Sequence, residues 1–177
     1  LDEAPPAATH ELFEQFALIA DGLHHLHQLG YAHADLKPGN ILVGTTGHAT
    51  LIDLGQACRL GERKPRIQGT PGFLAPEQAA VGIIDARTDA FLLAATIYRQ
   101  LTGRYGSNEM LDAKRPVERL RNLRRDISVE ADELVHACLQ RSPARRPSDL
   151  SNVAGRLREL AAQSAERACP QQLRRPA

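Results

Sequence analysis

Residues 31–43 read YAHADLKPGNILV, and this stretch decides how the rest of the chain is interpreted. Within it, Asp35, Lys37 and Asn40 stand directly before a short apolar run of the kind that forms a β-strand. Asp, Pro, Gly and Asn also favour turns, so DLKPGN taken alone is more typical of a plain turn than of a catalytic site. The interpretation therefore depends on which other residues the fold brings to this place.

A hairpin would bring a second carboxylate to the same stretch. The apolar runs at 41–43 and 50–52 are joined by GTTGHA, whose glycines and threonines suit a hairpin connection. If the two runs pair antiparallel, Asn40 and Asp53 lie side by side at the open end. Their amide and carboxylate oxygens are ligands that Mg²⁺ prefers in proteins. Because the loop before Asn40 adds another carboxylate and a cation, the set predicts a phosphoryl-transfer site.

Composition restricts the class of protein. The chain has 177 residues, of which 42% are apolar, and this suffices for one domain with a proper core. Its net charge of +1 argues against a nucleic-acid-binding surface. No apolar run approaches the roughly 20 residues that cross a bilayer, and the three scattered cysteines predict neither a disulfide framework nor a metal clip. We expect a cytoplasmic chain, alone or as the cytoplasmic part of a larger or membrane-attached protein.

Apolar periodicity predicts two long helices in the first two thirds of the chain. Apolar residues at three- and four-residue spacing predict one helix that has Thr9 as its N-cap and stops at Gly30. A second helix is expected to open at Thr88 or Asp89 and to end at Gly103. Because apolar residues nearly encircle this second helix, we expect it to be buried on most sides.

The remaining segments give weaker signals. Residues 55–75 carry scattered Gly, Pro and charge without a period and predict an extended loop. Two more helices are expected near 130–140 and 148–162. We therefore predict a mainly α fold with a short β-hairpin, in which the domain spans 9–162 between a linker at 1–8 and a flexible tail at 163–177.

Together these motifs resemble the eukaryotic-type (Hanks-type) protein kinase family. HADLKPGN, residues 33–40, is similar to its catalytic loop, and DLG, residues 53–55, is similar to its metal-binding turn with Leu in the Phe position. GTPGFLAPE, residues 69–77, resembles its peptide-docking loop, and SPARRPS, residues 142–148, resembles the late segment whose Arg pairs with the docking-loop glutamate. Asp89 falls where the family's buried helix begins. The order of these elements implies a kinase-like C-terminal lobe (α+β).

The resemblance implies a role for each residue of the site. Asp35 would orient and deprotonate the acceptor hydroxyl, and Lys37 would neutralise the transferring γ-phosphoryl group. Asn40 and Asp53 would hold Mg²⁺, or Mn²⁺, against the phosphates of ATP. The cofactor-binding set that the resemblance implies is Lys37, Asn40, Leu42 and Asp53.

The resemblance also implies a substrate class and a set of supporting residues. A lysine two residues after the catalytic aspartate, with Thr70 as a substrate-docking residue, is similar to the serine/threonine branch, so Ser and Thr of proteins are the expected acceptors. His33 would be a packed residue that supports the catalytic loop. Glu77 and Arg146 would form a buried ion pair, unless they are two surface charges. Asp89 would bind backbone amides of the catalytic loop, unless it is a plain N-cap.

Three features depart from the family pattern. The family commonly has Arg before the catalytic Asp, where this chain has Ala34, and residues 56–68 contain no Ser, Thr or Tyr. We therefore expect activity that needs no activation-loop phosphorylation. No GxG occurs in the chain, and residues 1–36 contain neither Lys nor Arg, so the family's nucleotide-clamping N-terminal lobe is absent from it. We expect a fragment of a longer kinase that alone binds ATP weakly.

Two other functions stay open at this stage. Small-molecule phosphotransferases, such as the aminoglycoside and choline kinases, share an HxDxxxxN pattern but lack the docking element GTPGFLAPE. A pseudokinase or scaffold lobe would bind a partner without catalysis. The histidines near His27 lack the Cys or carboxylate that would complete a metal site. The basic run at 111–125 is more typical of a solvated helix face than of a surface that docks acidic partners.

Overall fold

The computed structural model describes residues 8–106 and 117–168 of the chain. The expected linker at 1–7, the tail from 169 onward and part of the basic run, 111–116, lie outside the described residues. The helices are α1 (Thr9–Gln28), α2 (Pro76–Ala79), α3 (Ala86–Thr102), α4 (Leu120–Leu123), α5 (Val129–Cys138) and α6 (Leu150–Ala168). The strands are β1 (Tyr31–Ala32), β2 (Ile41–Val43), β3 (Ala49–Leu51), β4 (Cys58–Arg59), β5 (Glu62–Arg63) and β6 (Ile83–Ile84). The described part is mainly helical with short strands, as predicted.

Helix α1 begins one residue earlier than the sequence predicts. Its N-cap is Ala8, and the prediction of Thr9 in this position is wrong. The backbone N–H of Ala8 donates to the carboxylate of Glu11 at 3.2 Å, which satisfies the chain where it enters the helix. The Thr9 hydroxyl instead accepts from the Arg124 guanidinium at 3.1 Å. Beyond the helix, Gly30 has a φ of +86°, a left-handed conformation that glycine adopts without strain.

Helix α3 also begins earlier than predicted. Asp85 is its N-cap, since its Oδ1 accepts from the backbone N–H of Arg87 at 2.8 Å, so the expected start at Thr88 or Asp89 is wrong. The end is as predicted, because Gly103 follows the helix with a φ of +70°. The predicted burial on most sides is confirmed over the run from Thr88 to Tyr98. Each fully buried large apolar side chain in this run stabilises the fold by about 1.5–3 kcal/mol.

The last helix is longer than the sequence predicts. Helix α6 continues through Ala168, so the prediction of a flexible tail is wrong for residues 163–168. These residues, QSAERA, are mostly good helix formers, and no Gly or Pro interrupts them before Pro170. Helix α6 packs most extensively on α1, and α3 packs on α1 and α5, which places α3 at the centre of the core. Within the described ranges, none of the helices has the length and apolarity to cross a bilayer.

The hairpin is present, but its register differs from the prediction by one residue. Strands β2 and β3 pair antiparallel with Ile41 opposite Leu51, so the second strand is 49–51 and not 50–52. The backbone N–H of Ile52 donates to the Asn40 carbonyl at 2.9 Å, and Asn40 therefore lies opposite Ile52. The reason is a connection one residue shorter than expected, closed by a Gly44 N–H to His48 carbonyl bond of 2.9 Å.

The segment predicted as an extended loop, 55–75, carries two short strands. Strand β4 pairs with β1 and β5 pairs with β6, both antiparallel. Each strand is only two residues long, so no period-2 pattern can develop in the sequence. These pairings fasten the segment to the strand that precedes the catalytic loop and to the strand that precedes α3.

Candidate active site

Asp89 fixes the backbone of the stretch that corresponds to the catalytic loop. Its two carboxylate oxygens accept from the backbone N–H groups of His33 and Ala34, each at 2.8 Å. The Nε2 of His27 lies 2.7 Å from Oδ2 of the same carboxylate. Asp89 is fully buried, so these partners satisfy a charge that water cannot reach. Because Asp85 caps α3, Asp89 is not the N-cap of that helix.

The same carboxylate holds an unusual backbone conformation in place. Ala34 has a φ of +62°, a left-handed conformation that costs a residue with a Cβ about 1 kcal/mol or more. Its N–H is bound by Asp89, and its carbonyl accepts from the Gln78 side chain at 2.8 Å. The conformation is therefore imposed by buried hydrogen bonds on both sides of the residue, and it turns the chain directly before Asp35.

Three side chains meet at the end of this loop. Asp35 Oδ1 accepts from the Thr70 hydroxyl at 2.8 Å, and Asp35 Oδ2 accepts from Lys37 Nζ at 3.2 Å. Lys37 Nζ also donates to the Thr70 hydroxyl at 2.8 Å. The three groups form a closed triangle, although Thr70 follows Asp35 by 35 residues. These bonds hold the Asp35 carboxylate in one orientation. Asp35 is 8% exposed, so the carboxylate lies at the edge of solvent.

Asn40 lies beside Asp35. Its amide Nδ2 donates to the Asp35 carbonyl at 2.8 Å and lies 3.4 Å from Asp35 Oδ2. Because the amide nitrogen is used in this way, the oxygen Oδ1 points to the other side, and it accepts no hydrogen bond from the described residues. Asn40 is 4% exposed, so this oxygen belongs to a buried side chain whose amide nitrogen is fixed by Asp35.

Asp53 follows the second strand of the hairpin with a special backbone conformation. Its φ is +64°, which ends the strand, and its Oδ1 accepts from the Gly55 N–H at 3.0 Å. A Cβ on Gly55 would lie 3.0 Å from that same oxygen, so only glycine fits there without a shift. The side chain of Asp53 is exposed, at the same end of the hairpin as Asn40. The remaining carboxylate oxygen of Asp53 is open to a ligand.

His33 packs under this hairpin end. It is fully buried, and its Nε2 lies 3.3 Å from the carbonyl of Ile52, the residue before Asp53. Its Nδ1 accepts from the Asp35 N–H at 3.2 Å. One imidazole thus connects the backbone of Asp35 to the strand that leads to Asp53.

Glu77 and Arg146 form a bidentate ion pair. Arg146 NH1 and NH2 donate to the two carboxylate oxygens of Glu77 at 2.7 and 2.9 Å. The guanidinium also donates to the carbonyls of Arg87, Gln140 and Arg141, and it lies 4.7 Å above the Phe91 ring. Since the Arg146 side chain is fully buried, the arrangement is an internal clamp and not a surface pair.

Sequence reasoning missed two residues of the site, the buried Gln78 and the half-buried His27. Gln78 is 4% exposed, and its Nε2 donates to the Ala34 carbonyl while its Oε1 accepts from the Ala75 N–H at 3.0 Å. His27 supports Asp89 as described above. Gln78 gave no signal of its own, because it reads as an ordinary polar residue after Glu77. His27 appeared only as one of several neighbouring histidines with a doubtful metal role.

Leu42 lies on the surface of the hairpin. It is 60% exposed although it is a large apolar residue in a strand. The described residues contain no group of three or more His, Cys, Asp or Glu side chains that could hold a metal ion. A metal at the hairpin end would therefore need the oxygens of Asn40 and Asp53 together with groups from a bound ligand.

Comparison with known proteins agrees with the geometry. The chain matches the protein kinase domain over residues 5–160. It is 40% identical over 109 residues to the DNA damage-responsive serine/threonine-protein kinase RqkA of Deinococcus radiodurans, across 58% of this chain and 16% of that protein. It is 33% identical over 152 residues to beta-adrenergic receptor kinase 1 of Rattus norvegicus, across 81% of this chain and 22% of that protein.

A plant relative gives the same result. Serine/threonine-protein kinase AtPK1/AtPK6 of Arabidopsis thaliana is 34% identical over 135 residues, across 73% of this chain and 29% of that protein. The chain thus spans less than a third of the length of each of these curated relatives. The matched region includes nearly the whole described structure, and the chain therefore belongs to the eukaryotic-type (Hanks-type) serine/threonine protein kinase family.

Proposed function

We propose that this chain is the catalytic and peptide-binding C-terminal lobe of a kinase that transfers the γ-phosphoryl group of ATP to Ser and Thr hydroxyls of proteins. The observation that carries the proposal is the closed triangle of Asp35, Lys37 and Thr70, with Asn40 bound to Asp35 from the side. Such chemistry depends on positioning and on neutralising charge, and these contacts supply both.

Asp35 is the residue we assign to the acceptor hydroxyl. Its carboxylate is oriented by the Thr70 hydroxyl and by Lys37 Nζ, and it lies at the edge of solvent, where a peptide hydroxyl can reach it. In this position it accepts the hydroxyl proton as the acceptor oxygen attacks phosphorus. Lys37 holds a positive charge next to the oxygens of the transferring group.

Asn40 and Asp53 are the residues we assign to Mg²⁺ or Mn²⁺. The Asn40 amide nitrogen and one Asp53 oxygen form hydrogen bonds within the protein, which leaves the Asn40 amide oxygen and the other Asp53 oxygen unused by the described residues. Amide and carboxylate oxygens are the ligands that a hard cation prefers. A cation held by these two residues would neutralise charge on the phosphates of ATP, the donor of the phosphoryl group. Leu42 offers an exposed apolar surface on the neighbouring strand, which suits the adenine base.

The peptide acceptor would dock on the segment GTPGFLAPE. The Glu77–Arg146 pair ties this segment to the late helices, and Gln78 ties it to the Ala34 carbonyl. Thr70, in the same segment, contacts Asp35 directly. Because the docking segment and the catalytic loop share these buried contacts, a docked peptide would present its hydroxyl to Asp35 in a fixed place.

A smaller nucleotide-binding lobe would complete the site. An apolar groove of about 470 Å³ runs between α1 and the hairpin, lined by Leu26, Leu29, Leu51 and Leu54 among others. Leu29 is 61% exposed and Leu54 is 57% exposed, although both are large apolar side chains. A groove of this kind is typical of an interaction surface, and we propose that it receives the lobe that holds the ATP phosphates. The cytosolic location stays a prediction.

The two alternatives predict different products. A small-molecule phosphotransferase would phosphorylate aminoglycosides or choline and ignore peptides, and a scaffold would transfer nothing. The test uses the protein as encoded, with any segments that flank this chain, and radiolabelled ATP. The acceptors offered are an aminoglycoside, choline and three peptides that differ only in carrying Ser, Thr or Tyr. We expect label in the Ser and Thr peptides alone. Label in the small molecules alone, or in no acceptor, would overturn the proposal.

A further inference from the structure

We propose that the basic segment at residues 59–66 selects peptide substrates with anionic side chains close to the acceptor Ser or Thr. This inference rests on the proposed function and specifies its substrate class. Residues 56–68 hold four basic residues against one acidic residue, a net charge of +3, whereas the whole chain has a net charge of +1. The segment is therefore more basic than the chain as a whole.

Three basic side chains of the segment, those of Arg63, Lys64 and Arg66, are not neutralised by a carboxylate of the residues that the structure describes. Arg63 and Arg66 are exposed, and Lys64 is half-buried with its Nζ donating to the Gln56 carbonyl. Within the described ranges, none of these three side chains forms an ion pair. The carboxylates on the neighbouring segments have other partners, because Glu77 binds Arg146 and Asp85 binds Arg87.

The segment is fastened next to the catalytic loop. Lys64 and Arg66 line a small pocket together with Gln68 and Gln78. The Gln78 side chain donates to the Ala34 carbonyl, and Ala34 directly precedes Asp35. Strand β4 pairs with β1, and Arg59 lies 5.9 Å above the Tyr31 ring. The cations are therefore held by the fold and are not carried by a free loop.

The distance to the acceptor site suits nearby residues of a bound peptide. Arg66 precedes Thr70 by four residues, which limits the separation of their Cα atoms to about 14 Å. Thr70 contacts Asp35, the residue assigned to the acceptor hydroxyl. An extended peptide advances about 3.3 Å per residue, so side chains up to about four residues from the acceptor lie within reach. Carboxylates and phosphates share the chemistry that Arg and Lys recognise.

The test measures peptide binding, so that it does not depend on catalysis. Fluorescent peptides with one Ser acceptor and flanking Glu, phosphoserine, Ala or Arg are titrated with the protein as encoded, and anisotropy is read. We expect the Glu or phosphoserine peptide to bind about fivefold more tightly than the Ala peptide, as two exposed ion pairs would give. The preference should weaken between about 0.05 M and about 0.5 M salt. The peptide that gains more identifies carboxylate or phosphate as the natural anion.

A pair of charge reversals locates the preference. The double variant Lys64→Glu/Arg66→Glu should bind the Arg peptide more tightly than the Glu peptide. The matched control, Arg121→Glu/Arg125→Glu, makes the same change of charge in the basic run and should keep the original preference. Circular dichroism checks that each variant is folded. If the first is not, Arg63→Glu, which alters an exposed side chain, takes its place. Equal binding of the Glu and Ala peptides, or a preference reversed by the control, would overturn the inference.

Failure of this inference and failure of the proposed function give different results. If the protein phosphorylates Ser peptides but binds the Glu and Ala peptides equally, the kinase assignment stands and the selectivity is wrong. If it prefers the Glu peptide but transfers no label, the anionic selectivity stands and the kinase assignment is wrong.

Discussion

The Thr70 hydroxyl donates to Oδ1 of Asp35 at 2.8 Å, although the two residues are 35 positions apart in the chain. This bond joins the segment assigned to peptide docking to the residue assigned to proton transfer. The segment that contains Thr70 therefore helps to orient the Asp35 carboxylate, and this contact forms without a substrate.

Removing this bond should lower turnover more than binding. We expect Thr70→Ala to reduce kcat by about 10- to 100-fold, because the carboxylate then loses one of the groups that orient it. Thr70→Ser keeps the hydroxyl and should retain most of the activity. Steady-state kinetics with a Ser peptide measure both variants, and equal kcat values for Thr70→Ala and the unaltered protein would contradict the assignment.

Activity should not require a phosphate on Thr70. The Thr70 hydroxyl is bound between Asp35 and Lys37, and residues 56–68 offer no hydroxyl to modify. We expect protein treated with phosphatase to keep its turnover, and intact mass spectrometry shows whether any phosphate remains. If turnover vanishes and returns only when Thr70 is phosphorylated again, the expectation of activity without activation-loop phosphorylation is wrong.

Asp89 should be required for the stability of the catalytic loop. Asp89→Asn weakens two charge-assisted bonds to the His33 and Ala34 amides, and we expect a loss of about 1.5–3 kcal/mol in the free energy of unfolding. Urea denaturation measures this loss. Asp126→Asn serves as the control, because Asp126 is exposed and pairs with Arg124 at the surface. A loss no larger than that of the control would contradict the role given to Asp89.

The Glu77–Arg146 pair should show strong coupling. Either Glu77→Gln or Arg146→Met leaves a buried partner without its counter-charge, and we expect each to cost about 3–5 kcal/mol. The double variant should cost clearly less than the two single losses together, because neither charge then remains unpaired. Urea denaturation of the unaltered protein and all three variants measures these losses as a double-mutant cycle. Additive losses would indicate that the two side chains act independently.

Much of this arrangement could be predicted from the sequence, because its parts are local motifs. Each of three motifs occupies consecutive residues: the catalytic loop, the turn after the hairpin and the docking segment GTPGFLAPE. They can therefore be identified from the sequence without knowledge of the fold. The cap of α3 could not be predicted in the same way. Asp85 and Asp89 both suit an N-cap, and only the packing of the catalytic loop shows that Asp89 is drawn into the core.

The remaining differences have a similar physical origin. The two-residue strands depend on pairing partners far away in the chain, and local propensity carries no information about such partners. Gln78 became part of the site because the fold places its amide against the Ala34 carbonyl. The hairpin register depends on the length of the turn, which is one residue shorter than predicted. Asn40 therefore lies opposite Ile52 and not opposite Asp53.

Cys138 should resist alkylation in the folded protein at alkaline pH. Complete burial raises the pKa of its thiol to about 12, from 9.0 in the unfolded chain, so the folded state retains the proton. The stability that this contributes is present below pH 9.0 and is lost as the pH rises toward about 12. Iodoacetamide labelling with peptide mapping at about pH 9.5 should modify Cys138 only in denaturant. Rapid labelling in the folded state would show that the thiol is accessible.

The central claim is that Asp35 accepts the proton of a protein hydroxyl, and phosphate incorporation by Asp35→Asn tests it most directly. The protein as encoded, its Asp35→Asn variant and the Asp126→Asn control are each given ATP, Mg²⁺ and a Ser peptide. We predict that Asp35→Asn lowers the rate of incorporation by about 10²- to 10⁴-fold, while the control keeps its activity. Undiminished incorporation by Asp35→Asn would contradict the account.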